Sequence, residues 1–522
     1  MTPDPDPSEP SAASGLWVIA GQEPERLAII VPDGETVTYA GLAAATHRLA
    51  NALRALEVGV GDVVASLQHN SVPHFEVSLA TSQIGVYFVP VNVHLTPPEI
   101  AYITRDSGAK VLVASSDLAE ALTGVLDDLP ELRYAVGHPV PGWDSYDALV
   151  SGAADTPPPQ RTSGWLMGYT SGTNGRPKGV KRPYLAVEPE LVIAGTTELL
   201  GGFGLTPGPG VHLVCSPLYH TAPGQFAQMT LHLGQTLVIE RKFQAEGALA
   251  DIERYRVTST HMVPTHLHRM LRLAAGIRDK YDTSSMRVLL VAGAPFPPAE
   301  KRAAIEWLGP VVWEYLGATE GMVCRISPQE ALEHPGSVGR PQAARILDAS
   351  GAQVPPGEAG AIFFNNGLGF EYLNDAAKTA AAVRPDGYAT AGDVGRLDAD
   401  GYLYLLDRRD DLIITGGVNV YPAEIEQRLI VHPSVADVAV VAVPHPEWGH
   451  QVVAVIELEE GWAAGPELAA ELDAHCRAAL ASLKCPARYE FREALPRTPA
   501  GKLLRRVIRQ EMSEEANGPV QH

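Results

Sequence analysis

The first half of the chain alternates helical periodicity with short apolar runs. After Thr38, YAGLAAATHRLANALRAL has the spacing of a helix, VVASLQ is typical of a strand, FEVSLATSQIG of a helix and YFVPVNV of a strand. Similar units recur at AKVLVAS, at GVHLVCSPL, at QTLVIE with ALADIERYR, at VTSTHMVP with THLHRMLRLAA, and at MRVLLVAG. This alternation predicts an α/β architecture.

Two later regions have different patterns. Between Gly351 and Tyr404, Gly-Asp turns separate short strands in GAIFFN and DGYATAGDVGRLDADGYLYLLD, which predicts an antiparallel, β-barrel-like region. After DRRDDLIITGGVNVYP a new αβ pattern begins with AEIEQRLIVH, VADVAVVAVP and QVVAVIEL. We therefore expect a large N-terminal domain over residues 16–409, with two α/β subdomains and the β region. A small α+β domain would occupy residues 410–522.

Length and composition support this division and narrow the partners. The 522 residues, 45% of them hydrophobic, exceed the ~250 to 300 residues at which single cores stop growing. The formal charge of -21 disfavours nucleic acid and anionic lipid as partners, so a phosphate ligand must be held by local cations. Residues 1–15 are acidic and rich in Pro and Ser, which predicts a disordered tail rather than a signal peptide.

Cysteine usage and hydropathy bear on the compartment. The four cysteines form no CxxC pair and have no nearby histidine at zinc-ligand spacing. No apolar run approaches the ~20 residues of a membrane-spanning helix. We expect a soluble, reduced, cytoplasmic protein without stable membrane insertion, and the sequence leaves open whether it forms a homodimer.

The loop YTSGTNGRPKG, residues 169–179, has the composition of an anion site. Its glycines let backbone N–H groups approach an anion, its hydroxyls add donors, and Lys178 supplies a positive charge. The Walker pattern GxxxxGK[ST] does not fit, because Pro177 precedes the lysine and Gly179 follows it. A flexible Gly/Ser linker is the alternative interpretation, although such linkers seldom carry an Arg-Pro-Lys order.

The loop also resembles the phosphate-loop signature of the adenylate-forming superfamily, which includes acyl- and aryl-CoA synthetases. TYAGL, PVNVHLTPPEI, PLYHTAP, VAGAP, GATEG, AGDVG, DRRDDLIITGGVNVYPAEIE and PRTPAGKLLRR follow the family's order over nearly the whole chain after about residue 20. The resemblance implies a two-step reaction. A carboxylate attacks the α-phosphate of Mg-ATP to form an acyl-adenylate and pyrophosphate, and a thiol then displaces AMP after the small domain rotates.

The resemblance assigns the phosphate and metal contacts of the first step. Glu320 and Thr170 would hold Mg2+, Thr319 would hydrogen-bond the α-phosphate, and Lys502 would contact the α-phosphate and the attacking carboxylate in one domain orientation. Read alone, Thr319 and Glu320 would more often cap a helix, and Lys502 would be a solvated lysine. The β- and γ-phosphates would be steadied by Thr170, Ser171, Gly172, Thr173 and Lys178.

It also assigns the nucleoside and coenzyme A contacts. Asp393 and Arg408 would bind the ribose hydroxyls, although a turn aspartate and a surface arginine are the ordinary interpretations. Asp410 matches the hinge, where an ordinary surface turn is the alternative. Trp448 would cap the adenine of coenzyme A or simply pack between domains. The adenine edge would be formed by Gly293, Ala294, Pro295, Leu316 or Tyr315, and Gly317, and the pantetheine tunnel by Gly416 and Gly417.

Two further positions bear on how adenine and the carboxylic acid would be bound. Leu316 stands where the family usually has an aromatic residue against adenine, so either Leu316 gives an apolar contact or the backbone presents Tyr315. His220 in PLYHTAP resembles a gate between the ATP and carboxylate sites, with a structural histidine as the alternative. Small residues near both motifs favour a bulky aryl, alicyclic or long acyl acid, and no aspartate is recognisable as an amino-group anchor.

The sequence therefore predicts an AMP-forming acyl-CoA ligase that uses ATP, Mg2+ and coenzyme A and acts on a small-molecule carboxylic acid. Two alternatives remain open at this stage. One is a ligase that delivers the acyl group to a carrier-protein thiol or ends at the adenylate. The other is a nucleotide-binding regulator with a degenerate site, against which Lys178, Glu320, Asp393, Arg408 and Lys502 together argue.

Overall fold

The structure is a computed structural model that describes residues 15–32, 34–170, 177–408, 411, 413–415, 418–445, 448–497 and 503–517. Its first part alternates helices with short strands, as the periodicity predicts. Up to residue 170 the elements are α1 (Leu16–Gln22), β1 (Leu27–Ile30), β2 (Thr36–Thr38), α2 (Tyr39–Ala55), β3 (Val63–Leu67), α3 (Val72–Thr81), β4 (Tyr87–Pro90), α4 (Pro97–Asp106), β5 (Ala109–Ser115), α5 (Ser116–Glu120), a 3₁₀ helix (Thr123–Asp128), β6 (Leu132–Val136), β7 (Asp144–Ser145), α6 (Tyr146–Val150), β8 (Trp165–Leu166) and β9 (Gly168–Thr170).

The middle of the chain continues this alternation after the phosphate-loop motif. Its elements are β10 (Lys178–Lys181), α7 (Pro189–Gly201), β11 (Val211–Val214), α8 (Thr221–His232), β12 (Thr236–Ile239), α9 (Ala245–Tyr255), β13 (Ser259–Met262), α10 (Pro264–Leu271), α11 (Ala275–Arg278), β14 (Val288–Val291), α12 (Pro298–Leu308), β15 (Val312–Ala318), β16 (Gly321–Ile326) and α13 (Pro328–Glu333).

The last part contains the antiparallel region and the small domain. Its elements are β17 (Ala344–Leu347), β18 (Gly360–Phe364), β19 (Glu371–Tyr372), α14 (Ala376–Ala382), β20 (Asp393–Leu397), β21 (Leu403–Arg408), β22 (Ile413–Thr415), β23 (Val418–Val420), α15 (Pro422–Leu429), β24 (Val435–His445), β25 (Gly449–Leu458), α16 (Pro466–Arg477), a 3₁₀ helix (Ser482–Lys484), β26 (Arg488–Arg492) and α17 (Arg505–Asn517).

Two large sheets form the α/β subdomains. One has the strand order β16-β15-β14-β13-β11-β12-β1-β2. Its six inner strands run parallel, whereas β2 pairs antiparallel with β1 at one edge and β16 pairs antiparallel with β15 at the other. The other, β7-β6-β5-β3-β4-β8, is parallel throughout. Strands such as Val288–Val291 are buried along their length, because helices cover both faces of a parallel sheet. The predicted α/β class is confirmed.

The β region and the small domain also have the predicted architecture. Strands β17, β18, β20 and β21 form a four-stranded antiparallel sheet. In the small domain β24 and β25 pair antiparallel and β26 adds parallel to β25, with helices packed against this sheet around Ile425, Val440 and Leu472. The expected α+β character of the C-terminal domain is therefore confirmed, whereas the boundary at residues 409 and 410 stays a prediction.

All four cysteines are buried in the structure. Cys215 and Cys324 lie in the large domain, and Cys476 and Cys485 in the small one. Burial raises the pKa of each thiol, because the apolar surroundings disfavour the thiolate. Within the described ranges, none of the helices combines the length and the apolarity needed to cross a bilayer.

Candidate active site

A cavity of about 2570 Å³ lies where the carboxyl ends of the parallel strands meet the β region and the small domain. The segments that follow β11, β14 and β15 contribute His220, Gly293 and Thr319 to its wall. The carboxyl edge of a parallel sheet is where such folds bind ligands, because successive loops converge there. Motifs that are far apart in the sequence thus reach one cleft.

The phosphate-loop motif begins and ends on two paired strands. Thr170 on β9 lines the cavity and lies directly opposite Lys178 on β10. Lys178 forms an ion pair with Asp375. Gly168 is required here, because a Cβ at this position would lie 2.5 Å from Thr221 Oγ1 and 2.8 Å from a methyl carbon of Thr319. Because Gly168 has no side chain, Thr319 can lie next to the strand that leads into the phosphate-loop motif.

Thr319 and Glu320 stand at the turn between β15 and β16. The hydroxyl oxygens of Thr221 and Thr319 are 3.5 Å apart. Arg182 donates to the carbonyl oxygens of Thr319 and Glu320, at 3.2 Å and 3.1 Å. The turn is therefore held from its backbone, which leaves the Thr319 hydroxyl and the Glu320 carboxylate for other partners.

The donor set around Glu320 suits a nucleotide-bound Mg2+. Its carboxylate is 6% exposed and accepts a hydrogen bond from the hydroxyl of Tyr372, and the hydroxyls of Thr319 and Thr170 belong to the same cavity. All of these are hard oxygen donors. In the described part of the chain, no group of three or more His, Cys, Asp or Glu side chains could hold a metal ion. A single carboxylate suffices when substrate phosphates supply the other ligands, as Mg2+ sites commonly arrange.

The predicted nucleoside contacts line another part of the cavity. Gly293 has φ 90° and is exposed to the cleft together with Pro295, whereas Ala294 is half-buried. Asp393 on β20 is 7% exposed and lies directly opposite Arg408 in the ladder with β21. This register supports the predicted pairing of the two residues on a ribose, although the Arg408 side chain lies outside the described structure.

The structure distinguishes between Tyr315 and Leu316. The Tyr315 ring packs with Phe203 and Phe226, and its hydroxyl is 2.9 Å from Nε2 of His261. Burial lowers the pKa of His261 to about 4, so this contact joins two neutral groups at pH 7. The Tyr315 side chain is therefore engaged in core packing, although it also borders the cavity, and Leu316 is half-buried in the cavity wall; contact of either with adenine stays a prediction. Gly317 follows, where a Cβ would lie 3.2 Å from the Tyr315 ring.

His220 lines the cavity, as residues of α7 and α8 do. It is the N-cap residue of α8, and its ring centroid is 4.5 Å from that of Tyr219. Beyond it the wall consists of residues from α7 and α8, among them Val192, Thr196 and Phe226. All residues of these two helices are described, and none of those that line the cavity is Asp, Glu, Lys or Arg. A charged group on the acid would find no partner there.

Several predicted residues lie outside the described structure. They are Ser171, Gly172 and Thr173 of the phosphate loop, the hinge residue Asp410, Gly416 and Gly417 of the pantetheine tunnel, and Lys502. Their roles stay predictions. Trp448 is described and 50% exposed, with its ring against that of His445. It is thus accessible to a ligand in this domain orientation.

The small domain faces the cavity with the residues that flank Lys502. Arg497 and Leu503 are bridge partners and belong to the cavity wall, and Arg497 forms an ion pair with Asp437 at 2.5 Å. None of the described residues of the β22–β23 hairpin, 413–415 and 418–420, lines the cavity. This arrangement matches the orientation in which the lysine segment, rather than the Gly-Gly hairpin, meets the nucleotide.

Arg272, at the end of α10, ties the large domain to the small one in this orientation. Its guanidinium donates to the carbonyl oxygens of Val435 at 2.9 Å and Ile430 at 3.4 Å, and it forms an ion pair with Glu459. Partial burial lowers the pKa of Arg272, yet arginine remains charged at neutral pH. These contacts must break if the small domain rotates.

Replacing Arg272 by alanine should therefore slow adenylate formation about tenfold and leave thioester formation from a supplied acyl-adenylate unchanged or faster. Loss of hydrogen bonds to a charged group shifts a two-state equilibrium by roughly this amount. Rapid-quench measurement of the two half-reactions gives the ratio. Arg105→Ala, which removes a surface ion pair with Asp128 inside the large domain, is the matched control. Equal slowing of both half-reactions by Arg272→Ala would contradict the assignment.

Four contributors to the cleft are absent from the sequence-based prediction: Gly168, Arg182, Arg272 and Tyr372. Their side chains or Cα atoms act on residues far away in the chain, so no local pattern reports them. Only Gly168 carried a signal, since a glycine inside a strand often marks a close approach.

Comparison with known proteins follows the same division of the chain. Residues 16–368 match the AMP-binding enzyme family, and residues 424–502 match the AMP-binding enzyme C-terminal domain. The chain is 34% identical to a feruloyl-CoA synthase of Amycolatopsis sp, over 95% of this chain and 98% of that protein. It is 32% identical to a fatty acid–[acyl-carrier-protein] ligase of Streptomyces coeruleorubidus, over 94% of each. The crystal structure of the anthranilate CoA ligase AuaEII in complex with anthranoyl-AMP superimposes with a TM-score of 0.85 at 25% identity, over 97% of this chain and 99% of that one.

Proposed function

The chain belongs to the AMP-binding enzyme family, and from that premise we propose that it joins a carboxylic acid to coenzyme A. We propose that this acid is bulky and carries no charged group besides the carboxylate that reacts. The protein is an ATP-dependent acyl-CoA ligase that works through an acyl-adenylate. The choice of acid and the roles of individual residues are our proposals. The observation that carries them is one cavity lined by Thr170, Glu320, Asp393 and His220, with Lys178 directly opposite Thr170 in the strand pair.

In the first step a carboxylate oxygen attacks the α-phosphorus of ATP, and the bond to the bridging oxygen of the β-phosphate breaks. The departing pyrophosphate takes the negative charge, which Lys178 and the backbone of the phosphate loop would stabilise. Thr319 would donate to an α-phosphate oxygen. Mg2+, held by Glu320 and by the phosphates, supplies positive charge against the oxygens on which negative charge develops.

In the second step the sulfur of a thiol attacks the acyl carbonyl carbon, and the bond to the adenylate oxygen breaks to release AMP. This step needs no divalent charge at the β- and γ-phosphates, since pyrophosphate has left. We propose that the contacts of Arg272 break between the steps. The Gly416 and Gly417 segment would then replace the Lys502 segment beside the adenylate.

Three features support a bulky apolar acid. The cavity wall on α7 and α8 carries no formal charge, Phe226 and Met229 offer apolar contacts, and Gly195 leaves open space next to α7. A carboxylate or ammonium group remote from the reacting end would be desolvated there without a partner. Aryl and long acyl acids therefore suit the cavity better than amino acids or dicarboxylic acids.

A panel of aryl, alicyclic, fatty, dicarboxylic and amino acids tests this proposal. We expect acid-dependent pyrophosphate release with aryl or long acyl members, and a CoA thioester detectable by mass spectrometry. The same assay with a holo acyl-carrier protein in place of coenzyme A distinguishes the two acceptors. A thioester on the carrier protein with none on coenzyme A would overturn the choice of acceptor. Pyrophosphate release with charged acids only would overturn the choice of acid.

A further inference from the structure

A short segment between β18 and β20 of the antiparallel region contacts Glu320 and Lys178. It comprises β19 and α14, residues 371–382. Strand β19 pairs with β10, so that Tyr372 lies opposite Val180, two residues from Lys178. Asn374 adopts φ 56°, and Asp375 caps α14 by accepting from the backbone N–H of Lys378 at 3.0 Å. The segment is thus anchored by a strand at one end and a capped helix at the other.

Tyr372 makes the first contact, with the carboxylate of Glu320. The tyrosine is 5% exposed, and its hydroxyl donates to Oε1 of Glu320 at 2.7 Å. Lys378 places its ammonium group 4.0 Å from the centre of the Tyr372 ring. A cation over the ring face draws electron density from the hydroxyl toward the ring, which strengthens the hydroxyl as a donor to a carboxylate.

Asp375 makes the second contact, with the lysine of the phosphate loop. Its carboxylate is 3.2 Å from the ammonium nitrogen of Lys178, and each side chain is 26% exposed. The same short segment therefore contacts both the Glu320 carboxylate and the Lys178 ammonium group. Without these contacts both side chains would sample several rotamers at the edge of a large, hydrated cavity.

We propose that Tyr372 is a positioning residue for the metal-binding carboxylate. By holding Oε1 of Glu320, it leaves Oε2 to meet the Mg2+ of Mg-ATP in one orientation. Partners that hold a metal ligand in this way typically change metal affinity by about 10- to 100-fold when they are removed. The inference rests on the proposed role of Glu320 in the ligase reaction and extends that role to Tyr372, which acts through the Glu320 carboxylate.

The test is Mn2+ binding to the protein in the presence of α,β-methylene ATP, whose α–β linkage resists cleavage. Titration followed by electron paramagnetic resonance reports the metal affinity without turnover. We expect Tyr372→Phe to weaken Mn2+ binding about tenfold, because phenylalanine keeps the ring and its contact with Lys378 but removes the hydroxyl. The rate of thioester formation from a supplied acyl-adenylate should be unchanged.

Tyr146→Phe is the matched control. Its hydroxyl also donates to a glutamate, Glu76, at 2.7 Å, but neither residue lines the cavity. A Tyr372→Phe affinity within twofold of wild type, or a shift no larger than that of Tyr146→Phe, would overturn the proposal. Thermal unfolding of both variants shows whether they fold, and Tyr372→Trp serves as a second variant without the hydroxyl if Tyr372→Phe does not.

The wild-type protein separates this inference from the proposed function. If wild type binds Mn2+ with the analogue and releases pyrophosphate with an acid, the function stands and only the role of Tyr372 is judged by the variants. If wild type does neither, the proposed ligase reaction fails, and the inference about Tyr372 fails with it.

Discussion

Replacing Lys502 by alanine should reduce acid-dependent pyrophosphate release by ~10²-fold or more, since contacts that stabilise transition-state charge commonly contribute this much. Conversion of a supplied acyl-adenylate into thioester should continue at close to the wild-type rate. The physical reason is the position of the described residues on either side of Lys502 in the sequence. Arg497 and Leu503, which precede and follow the lysine segment in the chain, line the same cavity as Thr319 and Glu320. Lys502 itself lies outside the described residues, and its contact is a proposal.

Rapid-quench measurement of each half-reaction decides this prediction. Lys280→Ala is the control for loss of a lysine charge, because Lys280 is 64% exposed and does not line the cavity. It should change neither rate. Similar losses in both half-reactions of Lys502→Ala would mean that the lysine does not act in one domain orientation alone. The smaller effect expected for Arg272→Ala should have the same direction, since both changes weaken the orientation in which the adenylate forms.

Glu320→Gln should also reduce pyrophosphate release by ~10²-fold, and added Mg2+ should recover only part of the loss. Glutamine preserves the length of the side chain and an oxygen that can accept from Tyr372. It removes the negative charge that we propose binds the metal. Thioester formation from a supplied acyl-adenylate should be little affected, because pyrophosphate is absent from that step.

Steady-state rates over a range of Mg2+ concentrations, with ATP held constant, test this second prediction. Glu371→Gln is a matched control, since Glu371 is the exposed neighbour of Tyr372 on β19 and forms only a long contact of 3.8 Å with Lys181. It removes the same charge from the same segment. An unchanged rate and Mg2+ dependence in Glu320→Gln would exclude the carboxylate as a metal ligand.

The sequence predicted the regular elements well, because their signals are local. The helix expected over YAGLAAATHRLANALRAL is Tyr39–Ala55, and the strand in MRVLLVAG is Val288–Val291. Boundaries were less accurate. The helix predicted from Phe75 to Gly85 begins at Val72 and ends at Thr81, because Pro73 suits a first helical turn and the chain turns back at Gly85 with φ 74°. The strand expected over YFVPVNV is Tyr87–Pro90, so its carboxyl end comes earlier than predicted.

The site was predictable only where residues belong to motifs. Glu320 and Asp393 could be found from the resemblance, and the structure brings them to one cavity. Tyr372 could not be found, since its partner Glu320 is 52 residues away and the stretch GFEYLND has no periodicity that identifies a buried hydroxyl. Evidence on the alternatives at Leu316 comes only from packing. The Tyr315 ring belongs to a cluster from α7, α8 and β15 that no single segment reveals.

The burial of every native cysteine makes the rotation of the small domain accessible to spectroscopy. Maleimide dyes react with exposed thiolates, whereas these four thiols are enclosed and have raised pKa values. Cysteines introduced at the exposed positions Lys280 and Glu467 would therefore be the sites labelled in an otherwise unaltered chain. Energy transfer between donor and acceptor dyes at these sites would follow the distance between the domains during a single turnover, without first removing any native cysteine.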